Sequence, residues 1–170
     1  MWRLLESRPF NLTAAGICLA LLAFAYFSEY VLGLQPCPLC LIQRWVMWAL
    51  AGAFLLAALL GAGPLRSRLS GGLTGLVAAV GAGVAGWHLR LQNLPESEVP
   101  ASCGAGDMGY MVDVFGWGEA LEMAFTEAGD CAEVDWTLLG LSMPGWVLVW
   151  FLVLGVAAVV VNWRAGRPPF

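Results

Sequence analysis

The stretch from Trp45 to Leu65, WVMWALAGAFLLAALLGAGPL, runs for 21 positions without a charged residue. About 20 apolar residues wound as a helix cross the hydrocarbon core of a bilayer, so this stretch is read as a membrane span. Three others resemble it: Phe10 to Ser28, Leu69 to Leu89 and Trp136 to Trp163, of 19, 21 and 28 residues. A chain of 170 residues with 60% hydrophobic and 12% charged content is too apolar for a water-soluble domain. The expected architecture is an all-α membrane protein, a four-transmembrane-helix bundle forming a single domain over 1–170. Its spans are expected at about 11–29, 41–63, 70–90 and 144–163, with loops at about 30–40 and 91–143. Arg3 and Arg8 precede the first run, which contains the small-x-small string Ala23-Phe24-Ala25 of a signal peptide. The apolar run continues past that string, so the segment is read as a retained span.

Working outward from Trp45 to Leu65, the arginines set the orientation, because the chain has no lysine. Arg3 and Arg8 precede the first span, Arg66 and Arg68 lie between the second and third, and Arg164 and Arg167 follow the fourth. The positive-inside rule puts both termini and the middle loop in the cytoplasm, and the other two loops on the exported side. The second exported loop carries ten of the twelve acidic residues and no basic one, so the net charge of −4 is local to it. Nucleic acid is excluded as a partner; membrane lipid is the surrounding phase.

The cysteines follow this topology. Cys37 and Cys40 lie in the first exported loop and Cys103 and Cys131 in the second, while Cys18 lies inside the first span and is read as a small packing residue. Two pairs facing an oxidising compartment point to a bacterial inner membrane, although an endoplasmic reticulum membrane satisfies the same physics. Cys37-Pro38-Leu39-Cys40 is a C-x-x-C dithiol, a spacing that closes and reopens readily and suits electron transfer. Pro36 and Pro38 hold the residues before them extended, so the second helix is predicted to start at Pro38 or Leu39. Cys40 then falls in the first turn, where unpaired amides stabilise a thiolate.

Arg44 lies one turn on from Cys40 and on the same face. It reads either as a support for anionic sulfur or a bound acceptor, or as an anchor reaching to headgroups; its place on the exported side favours the former. Gln43 is a hydrogen-bond donor for the same acceptor or a polar interface residue. His88, the single histidine, ends the third span beside Trp87 and Arg90. It reads equally as an interfacial imidazole and as a partner for an electron acceptor. In the third span Gly71, Gly75, Ala79 and Gly83 recur every four residues, beside Ala78, Ala82 and Gly86, a small-residue surface for helix packing. In the second loop, Val114, Trp117, Leu121 and Phe125 predict a short amphipathic interfacial helix, with an ordinary loop helix as the alternative.

The motif Pro36-Cys37-Pro38-Leu39-Cys40 with Arg44, Cys103 in a Pro/Ser/Glu/Gly-rich loop, and Gly129-Asp130-Cys131-Ala132-Glu133 continuing through Leu139-Gly140-Leu141 to Met143-Pro144 together resemble the DsbB family. The likeness covers nearly the whole chain. It implies a protein-dithiol:quinone oxidoreductase of the bacterial inner membrane that reoxidises a DsbA-like periplasmic thiol oxidase and passes the electrons to quinone. Systems of this family keep the bacterial periplasm oxidising, a general property that the resemblance brings with it. Residue by residue, the resemblance makes Cys103 the sulfur attacked by the partner and Cys131 its disulfide mate. Electrons then reach Cys37 and Cys40 through a bridge of the Cys37–Cys131 type. Cys40 would face the quinone, ubiquinone or menaquinone, with Arg44 and His88 beside it; no metal is expected. Pro38 departs from the bulkier apolar residues that also occur at that position, so the family's redox potential is not carried over. Two rivals stand: a four-cysteine zinc site, disfavoured by a single C-x-x-C, and a non-enzymatic tetraspan with structural disulfides.

Overall fold

The computed structural model describes residues 2–60, 63–100, 108–126 and 128–166. Helices α1 (Trp2–Tyr30), α2 (Pro38–Leu59), α3 (Pro64–Gln92) and α5 (Met143–Ala165) form the bundle, and α4 (Met108–Thr126) lies in the second loop. The four bundle helices are long and apolar enough to cross a membrane. The expected all-α, four-helix class is therefore what the chain adopts. Each of α2, α3 and α5 has proline in its first turn, where the missing N–H costs no hydrogen bond. The helices overrun the charge-free runs because hydropathy marks the membrane and not the helix: α1 and α3 carry their arginines inside regular helix.

α3 packs most extensively on α5, and α1 and α3 both flank α2. Within lipid such contacts depend on close approach, since burial from lipid supplies no hydrophobic drive. The approach is closest at Gly81, where a Cβ would stand 2.4 Å from the Phe151 ring. The buried face of α3 runs through Gly71, Thr74, Ala78, Gly81, Ala85 and His88. This corrects the strict four-residue ridge expected from sequence: Ala79 and Gly83 face outward. A 3.6-residue helix needs alternating steps of three and four to stay on one side, and a uniform step of four drifts around the cylinder.

A mutual amide pair ties α1 to α5. Asn11 Nδ2 donates to Asn162 Oδ1 at 3.1 Å, Asn162 Nδ2 returns a bond to Asn11 Oδ1 at 3.2 Å, and Ser67 Oγ of α3 donates to the Asn162 carbonyl at 2.7 Å. Both asparagines are 1% exposed. Each of these amides has a partner, which burial in an apolar bundle demands.

At the other end, the second loop folds onto the bundle. Its helix α4 breaks at Gly116 (φ 81°) and buries Met108, Met111, Ala120 and Ala124 against Leu39, Leu91 and Cys131. A tight hairpin, β1 (Thr137–Leu138) with β2 (Leu141–Ser142), then leads into α5. Its two turn residues, Leu139 and Gly140, both have positive φ (54° and 82°), the geometry that a two-residue hairpin requires. Trp146 Nε1 donates to the Leu138 carbonyl at 3.0 Å, fastening the hairpin to α5.

Candidate functional site

Cys37 caps α2 in extended conformation (φ −69°, ψ 163°), held so by Pro38 after it, and the helix begins at Pro38 as expected. Cys40 is therefore in the first turn of α2, and its sulfur stands 3.3 Å from that of Cys37. Both are unbridged thiols, as is Cys131. The turn Gly129–Ala132 packs on α3 and places the buried Cys131 in the apolar cluster against which Cys37 packs. The hydrogen bond to Cys131 is the main cause that pushes the Cys37 thiol up to about 12, opposed by the bond to Cys40 and assisted by burial. Cys103 lies outside the described residues.

His88 is the hinge of the cluster. Its Nε2 stands 3.1 Å from the Cys131 carbonyl and 3.8 Å from Cys37 Sγ, and its Nδ1 stands 3.0 Å from Gln43 Nε2. A carbonyl can only accept, so Nε2 carries the proton and Nδ1 accepts from the Gln43 amide. His88 is 2% exposed and Gln43 4%, which removes the reading of either as a residue at the headgroups. One imidazole thus connects α2, α3 and the Cys131 turn.

Arg44 is one turn past Cys40, and its guanidinium is already engaged. It makes an ion pair with Glu29 at the end of α1, donates to the Ala25 carbonyl at 3.1 Å, and lies over the Tyr26 ring at 5.1 Å. Sequence reasoning gives Glu29 no role beyond marking the end of the first span. The signal that could find it is depth: an acidic and a basic residue at the same level of two adjacent membrane helices have few other partners.

These residues meet at a cavity of about 640 Å³. Its lining is apolar at Leu21 and Leu22 of α1, Met47 of α2 and Val147 of α5, and polar at Cys37, Cys40, Gln43, Arg44 and His88. Asp130 of the turn and residues 133–136 after it also contribute to the wall. Gln92 of α3 accepts a bond from Ser142 Oγ at 2.7 Å, tying α3 to the hairpin at the cavity rim. The size, the apolar lining and the few polar groups are those of a small-molecule site.

Four helices long and apolar enough to cross a membrane, with three thiols gathered beside a cavity at one end of the bundle, define a multi-pass membrane protein built around a dithiol. The family model for "Disulfide bond formation protein DsbB" matches residues 7–161. Several proteins named "Disulfide bond formation protein B" are similar over most of both chains. The one from Methylococcus capsulatus is 45% identical over 88% of this chain and 90% of its own. The one from Marinobacter nauticus is 44% identical over 89% of each, and that from Nitrosococcus oceani 42% over 89% and 86%. The chain belongs to the DsbB family of disulfide bond formation proteins.

Proposed function

We propose that the chain reoxidises a DsbA-like thioredoxin-fold dithiol by thiol–disulfide exchange and passes the two electrons to ubiquinone or menaquinone in the cavity. The observation that carries this reading is the opening of the Cys37–Cys40 dithiol onto a largely apolar cavity among the bundle helices, with Cys131 in the cluster packed against Cys37. On this reading the partner's thiolate attacks Cys103 of a Cys103–Cys131 disulfide, and the partner's second thiolate resolves the mixed disulfide, leaving two thiols on the loop. The Cys131 thiolate then attacks Cys37 of a Cys37–Cys40 disulfide, releasing the Cys40 thiolate, and Cys103 attacks Cys131 of the resulting Cys37–Cys131 bridge, which restores the loop disulfide and leaves the electron pair on a reduced Cys37–Cys40 dithiol. A quinone supplies the acceptor for two electrons and the two protons that the dithiol gives up. Cys40 faces the cavity from the first turn of α2. Arg44 offers guanidinium N–H groups to a carbonyl oxygen, and His88 holds a proton at Nε2 between Cys37 and the Cys131 carbonyl.

The same reading places the protein in a bacterial inner membrane with both termini cytoplasmic and the cysteines periplasmic, supported by the distribution of arginine. It lays α4 on the membrane surface, supported by exposed Tyr110, Val114, Phe115 and Trp117. The test is quinone reduction by the purified chain supplied with a reduced thioredoxin-fold dithiol. Turnover that is lost in Cys40→Ser and in Cys103→Ser, with both variants still folded, is the expected result. No turnover by the intact chain would sink it.

A further inference from the structure

The three donor atoms Cys37 Sγ, Cys40 Sγ and His88 Nε2 all lie within 4.8 Å of one another. The two sulfurs are 3.3 Å apart and Cys37 Sγ is 3.8 Å from Nε2. Tetrahedral zinc, with bonds of about 2.3 Å to sulfur and 2.0–2.1 Å to nitrogen, places its donors roughly 3.5–3.8 Å apart. We propose that the reduced protein binds one soft divalent cation of the zinc type on Cys37, Cys40 and His88, and that the cation holds the dithiol out of the relay. The binding stands on this geometry alone; the block on electron transfer rests on the proposed function.

The chemistry suits such a cation in three ways. Two thiolates and an imidazole are a soft set that favours zinc and cadmium over magnesium or calcium. The two thiols each release a proton to solvent and the imidazole stays neutral, so a divalent cation leaves a cluster with no net charge. That is the form an apolar cavity tolerates best. Access is from the cavity, whose rim carries Asp130, Glu133 and Asp135 to draw cations in. For Nε2 to bind, the ring proton moves to Nδ1, and the Gln43 amide turns over to accept it through Oε1. Gln43 is buried in position to do so, 3.0 Å from Nδ1. Oxidation of either cysteine removes a thiolate, so the site exists only in the reduced state.

The full-length chain in detergent, reduced with a non-chelating phosphine, is titrated with Cd²⁺ and, against a chromophoric chelator, with Zn²⁺. The expected result is one equivalent bound, thiolate-to-cadmium absorption, and two protons released. His88→Ala should weaken binding at least tenfold, and Gln43→Leu by about 10–100-fold, the usual range for a residue that orients a ligating histidine. Cys40→Ser and the disulfide form should bind no stoichiometric metal. Absence of stoichiometric binding by the reduced wild type overturns the proposal, as does an unchanged affinity in both folded His88→Ala and folded Gln43→Leu, which would mean a bare dithiol chelating on its own. Turnover with a reduced partner and quinone, in metal-free buffer, separates the two readings. Turnover that zinc stops and EDTA restores supports both, whereas turnover indifferent to saturating zinc overturns the block.

Discussion

The two ends of the helix bundle solve the same problem in opposite ways. At the end near the termini, Asn11, Asn162 and Ser67 are buried, and their bonds close on one another. At the cysteine end, Gln43, His88 and Cys131 are buried too while Cys37 and Cys40 are half-buried, and the group gathers at a cavity. Buried polar groups are tolerated where each has a partner, but saturation and reactivity are alternatives. An amide pair has no easy second arrangement. A cluster of thiols and one imidazole has several of similar energy, and exchange chemistry requires that.

The sharpest way to break the comparison is Cys40→Ser. It should abolish quinone-dependent turnover while thermal unfolding of the reduced protein moves little, because the serine replaces one small half-buried group with another. Loss of the fold would mean that the two ends are built alike. Next, Gly81→Leu should destabilise the bundle by about 1–3 kcal/mol or more, since the new side chain meets the Phe151 ring; overpacking of this kind is seldom absorbed. A denaturation midpoint equal to wild type would contradict the α3–α5 packing. Asn162→Ala should cost about 1–2 kcal/mol by stranding Asn11, with turnover per folded molecule unchanged. A drop in turnover beyond the loss of folded protein would show that the closed end is not only structural.

Two smaller effects refine the cysteine end. Arg44→His should raise the apparent KM for quinone several-fold more than that for the protein partner; equal changes would remove Arg44 from the cavity's chemistry. The pH dependence of the reduced protein has a definite sign. A thiol ordinarily ionises near 9.0, and Cys37 in the fold holds its proton to about 12. The unfolded chain therefore ionises first, and stability present below pH 9 is lost as pH rises toward 12. Cys37→Ser should flatten that decline in alkaline unfolding scans.

Much of the fold and site is legible in the sequence because the carriers are local. Charge-free runs give the spans, and Pro38 fixes where α2 begins. Cys40 and Arg44 follow by counting along one helix. What escapes is pairing between elements: Gln43 with His88, Arg44 with Glu29, and Asn11 with Asn162 join residues 45, 15 and 151 positions apart. Periodicity along one helix carries no information on which face meets which neighbour. The small residues of α3 show the limit: their regular spacing points to Ala79 and Gly83, while packing selects Gly81 and Ala85. The hairpin before α5 escapes too, because leucine at a left-handed turn position is a residue that turn chemistry disfavours.

The Asn11–Asn162 pair has a consequence for how the protein is made. Asn11 is translated before Asn162, so α1 carries an unmatched amide until α5 has been made. Until then α1 holds a polar side chain whose bonding partner is missing, and the arrival of α5 closes the pair.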